Sequence, residues 1–355
     1  MTEISFTYDA LPGRVRFGRG LARAELSNEL DALGWQRALL VLTPQERGLA
    51  EELIGADMDR VVAVFDGVRP HVPQEVADTA TDLVRLHAVD GLLSVGGGST
   101  TGTAKAVALT TGLPILAVPT TYAGSEMTPV WGLTSDGQKV TGRDLNVLPR
   151  VVLYDPDLVE SLPRGLAVAS ALNAMAHCVE ALWTTASNPV IRATALEGVR
   201  ALHGGLIALT DGESDASDQL LVGAYLAGSA FAVAGSGLHH KLCHILGGAF
   251  DLPHAQTHAA ILPHVLEFNV GALPARTARR LAEALACTEV SASEGLRRLY
   301  LQVGVNASLA DAGLTSDQLG TAIELVSDRL PITNPRPVGP DDVKSILISA
   351  YDGIS

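Results

Sequence analysis

Residues 91–99 constrain the fold more than any other stretch. Residues 91–95 (GLLSV) form an apolar run that passes without a linker into Gly96-Gly97-Gly98-Ser99 and then into a helical run, 100–110 (TTGTAKAVALT). A strand with no polar alternation is buried on both faces. One that ends in glycines and restarts as a helix is a βα unit of a mostly parallel sheet. Similar strand runs lie at 37–43 (RALLVLT), 61–65 (VVAVF), 113–118 (LPILAV) and 151–154, with helical runs at 45–54 and 73–87 between them. Residues 1–160 therefore read as a Rossmann-like, dinucleotide-binding α/β domain. From about Pro163 the pattern is helical throughout, at 165–184, 189–209, 218–234, 279–286, 292–303, 316–325 and 340–351. Residues 161–355 read as an all-α domain. A chain of 355 residues with 47% hydrophobic content is long enough for two cores.

The glycine turn has chemical as well as structural use. Glycines let backbone approach a phosphate, and a helix N-terminus offers free N–H groups and the positive end of a dipole. Ser99 is placed to cap that helix. Taken alone the turn serves equally well as an ordinary βα connection, and the GxGxxG spacing is absent. A second polar loop, Pro119-Thr120-Thr121-Tyr122-Ala123-Gly124-Ser125-Glu126, ends the neighbouring strand in the same way. Two such loops at the carboxyl ends of parallel strands are what a dinucleotide crevice needs.

The helical half concentrates its histidines. Six of ten lie within 235–264: His239, His240, His244, His254, His258 and His264. His240 and His244 are four apart and share a helix face. Gly247-Gly248 is expected to end that helix, with Pro253 barring its continuation. His254 and His258 repeat the spacing. Upstream, Asn173 and His177 are also four apart, in SALNAMAHCVE, where flanking Ala, Leu, Met and Val mark a buried helix. Buried Asn and His need partners, and the histidine stretch is the candidate. The expectation is an active site in the cleft between the two domains.

Composition narrows the partners. Net charge is −14, from 25 basic and 39 acidic residues, with no basic run, so nothing would neutralise nucleic-acid phosphates. An anionic small substrate would need a local cationic pocket. No apolar run is long enough to span a bilayer, and the N-terminus lacks signal-peptide character. Three cysteines without CxxC spacing argue against a disulfide framework or a thiolate zinc site. A soluble, cytoplasmic protein is expected.

Jointly the motifs resemble those of the iron-containing (group III) alcohol dehydrogenase family, over nearly the whole chain. The family pattern GGGSxxDxAK is matched by residues 96–105, and PTTxxxGSE by 119–126, one residue tighter. DAxxHxxE is matched by 173–180, and the pair GLHHxxxHxLG and PHxxxxxxxLPH by 237–247 and 253–264. The resemblance implies a dehydroquinate synthase-like fold and NADH or NADPH held by Gly96, Gly97, Gly98, Ser99, Thr120, Thr121 and Thr43. It also implies a homodimer, for which a strand at residues 3–8 could pair across a two-fold axis. In metal-dependent members one Asp and three His hold Fe²⁺ or Zn²⁺. The matching positions here are Asn173, His177, His240 and His254, with His244 a further histidine near the nicotinamide. Asn173 replaces the only anionic ligand with a neutral amide, which lowers divalent-metal affinity. That change, with HHK at 239–241 and GRD at 142–144, resembles a branch of the family that works without a metal. Gly102 also departs from the family Asp, which puts a nucleotide contact there in doubt.

That branch reduces a carbon–carbon double bond conjugated to a ketone in a small dicarboxylate. Hydride adds β to the ketone, and the charge spreads into an enolate. Hydrogen-bond donors or a protonated histidine can stabilise such an oxyanion without a metal, and protonation of the adjacent carbon is general-acid work suited to histidine. His244 is the expected hydride-proximal residue and His240 or His254 the oxyanion donor and acid, with His177 and Asn173 completing the cluster. Lys241 and Arg143, with Lys139, are candidates for a substrate carboxylate, and Lys105 is a candidate for phosphate. Many NAD-selective relatives carry Asp where this chain has Thr43, so both coenzymes are expected to be accepted. The alternatives are a metal-dependent alcohol or polyol dehydrogenase using His177, His240 and His254, and a nucleotide-binding protein without catalysis.

Overall fold

The structure is a computed structural model that describes residues 5–135 and 138–354, without the side chains of residues 138 and 139. The chain divides into two compact units, residues 11–162 and residues 163–355 together with the N-terminal ten.

The α/β unit contains strands β1 (Arg14–Phe17), β2 (Ala38–Val41), β3 (Val61–Phe65), β4 (Gly91–Gly96), β5 (Ile115–Pro119), β6 (Val130–Ser135), β7 (Gln138–Arg143) and β8 (Val151–Tyr154). Six of these form one sheet in the order β1-β8-β5-β4-β2-β3, every pair parallel. β2, β4, β5 and β8 are buried along their whole length, as their unbroken apolar sequences require. Leu40, Leu93, Leu116 and Leu153 pack into one core with Leu26 and Leu30 of α1 (Leu21–Leu33) and Ile54 of α2 (Arg47–Ile54). Helices α3 (Gln74–Leu86) and α4 (Gly98–Thr111) complete the unit. β3 lies on one side of β2 and β4 on the other. The chain thus reverses direction across the sheet there, and the crevice beyond the carboxyl ends of β2 and β4 is a topological switch point.

Three features of this unit differ from the sequence expectation. β1 and α1 precede the first strand expected at 37–43. β1 is a four-residue edge strand with an exposed-to-intermediate pattern, and α1 is capped from far away: Asp155 accepts from the amides of Gly20 and Ala22, both at 3.0 Å. β6 and β7 pair antiparallel, from Val130 with Arg143 to Ser135 with Gln138, beside the parallel sheet that was expected alone. Finally, α4 begins at Gly98 rather than at residue 100, so Ser99 lies in the first turn, and no side chain caps the helix.

Lys105, expected near a phosphate, is buried under the loop that follows β5. Its Nζ donates to the carbonyls of Ser125 (2.5 Å), Thr128 (2.7 Å) and Val130 (2.9 Å) and to Thr128 Oγ1 (3.0 Å). Burial pushes its pKa down to about 7, partly offset by Glu126. The Glu126 carboxyl is raised by its own burial, against a 2.5 Å hydrogen bond from the Tyr154 hydroxyl. Helix α4 thereby holds the second half of the segment between β5 and β6.

The helical unit contains α5 (Arg164–Ala181), α6 (Pro189–Asp211), α7 (Ala216–Ala234), α8 (Leu238–Phe250), α9 (His254–Val270), α10 (Ala275–Ala284), α11 (Ala292–Gln302), α12 (Leu319–Ser327) and α13 (Pro340–Asp352). α5 is its axis: residues 167–181 are all buried, and it packs on α6, α7 and α9. α8 does not stop at Gly247-Gly248. It runs to Phe250 and ends where Asp251 takes a left-handed conformation (φ 51°) two residues before Pro253. Packing on α9 outweighs the low helix propensity of two glycines. Residues 5–8 carry no strand; Glu3 and Ile4 of the expected pairing strand lie outside the described residues. Among the described residues, no single helix is long and apolar enough to cross a membrane.

Replacing Lys105 with Met leaves Glu126 buried without its cation and removes the lysine's hydrogen bonds to the carbonyls of Ser125, Thr128 and Val130, of which Ser125 still accepts from Thr128. We expect a loss of about 3–5 kcal/mol in denaturant unfolding, with part of it recovered when Glu126→Gln is added. An unchanged unfolding midpoint in the single variant would show that the lysine does not hold this loop.

Candidate active site

At the switch point of the α/β unit, backbone stands in for side chains. Gly96 ends β4 opposite Pro119 of β5, and its carbonyl accepts from the Thr120 amide at 3.2 Å. A Cβ at Gly96 would lie 2.5 Å from Thr100 Oγ1 and 2.7 Å from Glu46 Oε2, and one at Gly97 would lie 2.9 Å from Thr121 Cγ2. Gly96 also has φ 152°, a conformation that side chains disfavour. Gly97 is the N-cap of α4. A bare glycine turn running into an uncapped helix N-terminus fits the pyrophosphate of a dinucleotide. Thr120 is buried, while Ser99 and Thr121 are partly exposed. Thr43, at the end of β2, does not turn a free hydroxyl to the crevice: it donates to Glu46 Oε2 at 2.8 Å. The missing aspartate at residue 102 has a local reason. A Cβ there would lie 2.9 Å from Val72 Cγ2. Val72 is held left-handed (φ 49°), and its carbonyl accepts from the Thr134 amide of β6 at 3.0 Å.

In the helical unit, α5, α8 and α9 bring the expected histidines together. The His177 and His240 ring centroids are 5.0 Å apart and nearly parallel. His240 and His244 are 6.0 Å apart, and His244 and His254 6.3 Å. His258 joins them, 4.2 Å from His254 and 4.8 Å from His240. Phe231 of α7 covers one side, 4.7 Å from His177 and 4.4 Å from His240. Asn173, one turn before His177, is buried with Oδ1 unpaired. His264 is buried but makes no ring contact with this cluster among the described residues; burial brings its pKa down to about 4.

The residue that organises the cluster is one that sequence reasoning quoted within a motif but gave no role. Glu180, fully buried on α5, accepts from the His239 amide at 2.7 Å and hydrogen-bonds His240 Nδ1 at 2.5 Å. Gly237 lets the chain come this close, since a Cβ there would lie 3.1 Å from Glu180 Oε1. With Nδ1 anchored, His240 turns Nε2, otherwise unpaired, to the cluster. His239 faces the other way along α8: its Nε2 lies 3.0 Å from His258 Nδ1 and 3.7 Å from Cys243 Sγ. The spacing of four between His239 and Cys243, and between His254 and His258, was the available signal for this second layer.

Burial sets the charge of the cluster. It brings the pKa of His240 to about 3, and that of His239 to about 3 with help from His240. His177 and His258 are held well below the ordinary value, mainly by burial and then by neighbouring histidines. Burial raises Glu180. The His177, His239, His240 and His258 rings are therefore neutral at pH 7.

This donor set lacks the anionic ligand of the metal-dependent pattern. The four positions expected to hold one (Asn173, His177, His240 and His254) include no carboxylate, and Glu180 spends its oxygens on His239 and His240. Among the described residues, the three His, Cys, Asp or Glu donors that lie within 4.8 Å of one another are those of His239, Cys243 and His258. There the two imidazoles already hydrogen-bond each other, and burial holds the Cys243 thiol well above its ordinary value. The two carboxylate candidates are both exposed: Lys241 on α8, and Arg143 at the end of β7 in the other unit. The Lys139 side chain lies outside the described residues.

Residues 12–156 match the family model for iron-containing alcohol dehydrogenase, and residues 167–351 match that for the C-terminal part of the Fe-containing alcohol dehydrogenase family. The chain belongs to this family. It is 45% identical to a maleylacetate reductase of Burkholderia cepacia and 43% identical to one of Sphingobium indicum, with 99% of each chain covered in both cases. The crystal structure of a maleylacetate reductase from Agrobacterium tumefaciens superposes with a TM-score of 0.91 at 39% identity, covering 99% of both chains. Within the family's fold, the glycine turn and the histidine cluster are thus contributed by separate units of one chain.

The neutral histidines make stability depend on pH with a defined sign. Their folded pKa values lie below the unfolded value near 6.5, so the unfolded chain binds more protons between about pH 3 and 6.5. Each ring's contribution is complete above that window and is lost as pH falls through it, at up to about 1.4 kcal/mol per pH unit. The raised carboxyls Glu180 and Glu126 act in the opposite sense above about pH 4.5, but four histidines outnumber them. Denaturant unfolding should show stability falling steeply from pH 7 to 5. A flat profile would mean that the rings take up protons within the folded chain.

Proposed function

We propose that the protein is a maleylacetate reductase: maleylacetate, NAD(P)H and a proton give 3-oxoadipate and NAD(P)⁺, a late step in aerobic degradation of aromatic compounds. The reading assigns the nucleotide to the glycine turn and the reacting dicarboxylate to the histidine cluster. The observation that carries its metal-independent chemistry is the carboxylate-free donor set of Asn173, His177, His240 and His254, in which burial keeps His177 and His240 neutral. Identity over the full length with maleylacetate reductases supports the reaction class.

When bound, the nicotinamide supplies hydride to the carbon β to the ketone. The protein's task is to hold the dicarboxylate, stabilise the enolate oxygen and protonate the α carbon. Lys241 and Arg143 are assigned to the carboxylates. Glu180 gives His240 two proton inventories. With one proton shared between the carboxylate and Nδ1, Nε2 accepts; with a second proton on the pair, Nε2–H donates. In the loaded state the Nε2–H bond breaks toward the α carbon, a C–H bond forms, and one proton remains between Nδ1 and Glu180. His254 and the neutral His177 serve as donors to the enolate oxygen, with the Asn173 amide beside them, and His244 lines the hydride face. An enolate spreads its charge over carbon and oxygen, so neutral donors in a water-poor site suffice.

The deciding experiment combines chelator stripping, elemental analysis and NADH oxidation with maleylacetate. We expect full turnover with metal far below one equivalent per chain. Activity that vanishes on stripping and returns with Fe²⁺ or Zn²⁺ would instead establish a metal-dependent dehydrogenase, and no turnover in either state a non-catalytic nucleotide-binding protein.

Alanine at His240 or His254 should lower kcat/KM for maleylacetate by about a hundredfold or more while the fold is retained. Full turnover in both variants would remove the histidine cluster from the mechanism.

A further inference from the structure

We propose that Glu46 makes the nucleotide site selective for NADH over NADPH, by surrounding the ribose position with hydrogen-bond acceptors and one fixed negative charge. The proposal rests on the reading that the switch-point turn holds the nucleotide.

Glu46 comes three residues after Thr43, in the connection from β2 to α2, and its carboxylate closes the gap between three strand ends. Oε2 accepts from the Thr43 amide at 3.1 Å and from Thr43 Oγ1 at 2.8 Å. Oε1 accepts from Thr120 Oγ1, beyond β5, at 2.9 Å. Both oxygens lie against Gly96 at the end of β4, 2.7 and 2.8 Å from the place a Cβ would take. The carboxylate thus occupies the β2–β4 crevice itself, where nucleotides bind in open α/β sheets.

The direction of these bonds decides what the crevice recognises. Thr43 and Thr120 each spend their hydroxyl hydrogen on Glu46 and present only lone pairs outward. Of the roughly four acceptor sites on a carboxylate, three are filled, and one remains on Oε1. A ribose diol brings two O–H donors and matches this rim. A 2′-phosphate brings only acceptors and about two negative charges, and meets lone pairs and a like charge. The adjacent cation does not compensate, because Arg47 is paired with Asp66 at 2.6 Å. The expectation that both coenzymes are accepted was drawn from Thr43 as a neutral residue; the anion that Thr43 is bonded to adds a preference between them.

The test is calorimetric titration of the whole protein with ADP-ribose and with its 2′-phosphate, which requires no turnover. Wild type should bind ADP-ribose at least about tenfold more tightly, and the isosteric Glu46→Gln variant, which removes the charge and keeps an acceptor for Thr43, should narrow that ratio by about tenfold. Equal affinities in wild type would overturn the proposal even if the variant failed to fold, and so would an unmoved ratio in a folded Glu46→Gln. Gly97→Val separates the two levels of inference. It should weaken both ligands alike by filling the turn beside Thr121. If both still bind it as tightly as wild type, the nucleotide is not at this turn, and the underlying reading fails; if both weaken while Glu46→Gln leaves the ratio unmoved, only the role of Glu46 falls.

Discussion

The helical unit depends on one buried carboxylate. Glu180 has no water around it, and its burial is tolerable only because the His239 amide and His240 Nδ1 satisfy its oxygens. Those bonds fix the start of α8 against the middle of α5. They also fix the rotation of α8, and with it which side chains face the cluster: His240 and His244 on one face, His239 and Cys243 toward His258 on α9. Six imidazoles could share so little space in several ways. One anchored ring removes most of that freedom, because each neighbour must then pack edge or face against a ring whose orientation is set.

The α/β unit solves a parallel problem with the opposite charge. Its functional loops leave the ends of parallel strands, where backbone has no ladder to join. Lys105 gathers the carbonyls of Ser125, Thr128 and Val130 from inside the unit, and Glu46 gathers the hydroxyls of Thr43 and Thr120 at the crevice. A cation collects carbonyls and an anion collects hydroxyls, so the polarity left facing the ligand is set by which ion holds each loop. Charged side chains within nucleotide-binding turns can therefore act on the ligand indirectly, by deciding which way neighbouring donors point.

Much of this was legible in the sequence, and the failures share a cause. β2, β4, β5 and β8 were readable because full burial of a central parallel strand forces an uninterrupted apolar run. β1 was not, because an edge strand reading RVRF need not be apolar, and α1 after it is capped by Asp155, about 135 residues away in sequence. The histidine faces were legible because a spacing of four survives any helical packing. Gly247-Gly248 misled because local propensity was weighed without the contact that α8 makes with α9. Lys105 and Glu46 were misassigned or passed over for the same reason: each is defined by partners on other strands, 74 residues apart in the case of Glu46 and Thr120. Motif reading locates residues along the chain, whereas the direction of a hydrogen bond belongs to the pair.

The same distinction bears on Asn173. In sequence it is a lost carboxylate, which reads as a weakened metal site or as decay. In the structure the cluster keeps a carboxylate, placed behind His240 rather than in front of it. An anion in front would neutralise a divalent cation and hold it against a localised alkoxide. An anion behind an imidazole does something else: it sets how many protons the ring carries and which nitrogen offers one. Conjugate reduction needs a proton delivered to carbon and only modest stabilisation of a spread-out charge, so losing the negative charge in front of the ring and keeping the one behind it suits that chemistry. The buried, neutral rings of His177, His239 and His258 around it follow from the same requirement. A cluster of imidazolium ions would repel itself apart, while neutral rings sharing one anchored proton pair pack closely and still supply the one proton each turnover consumes.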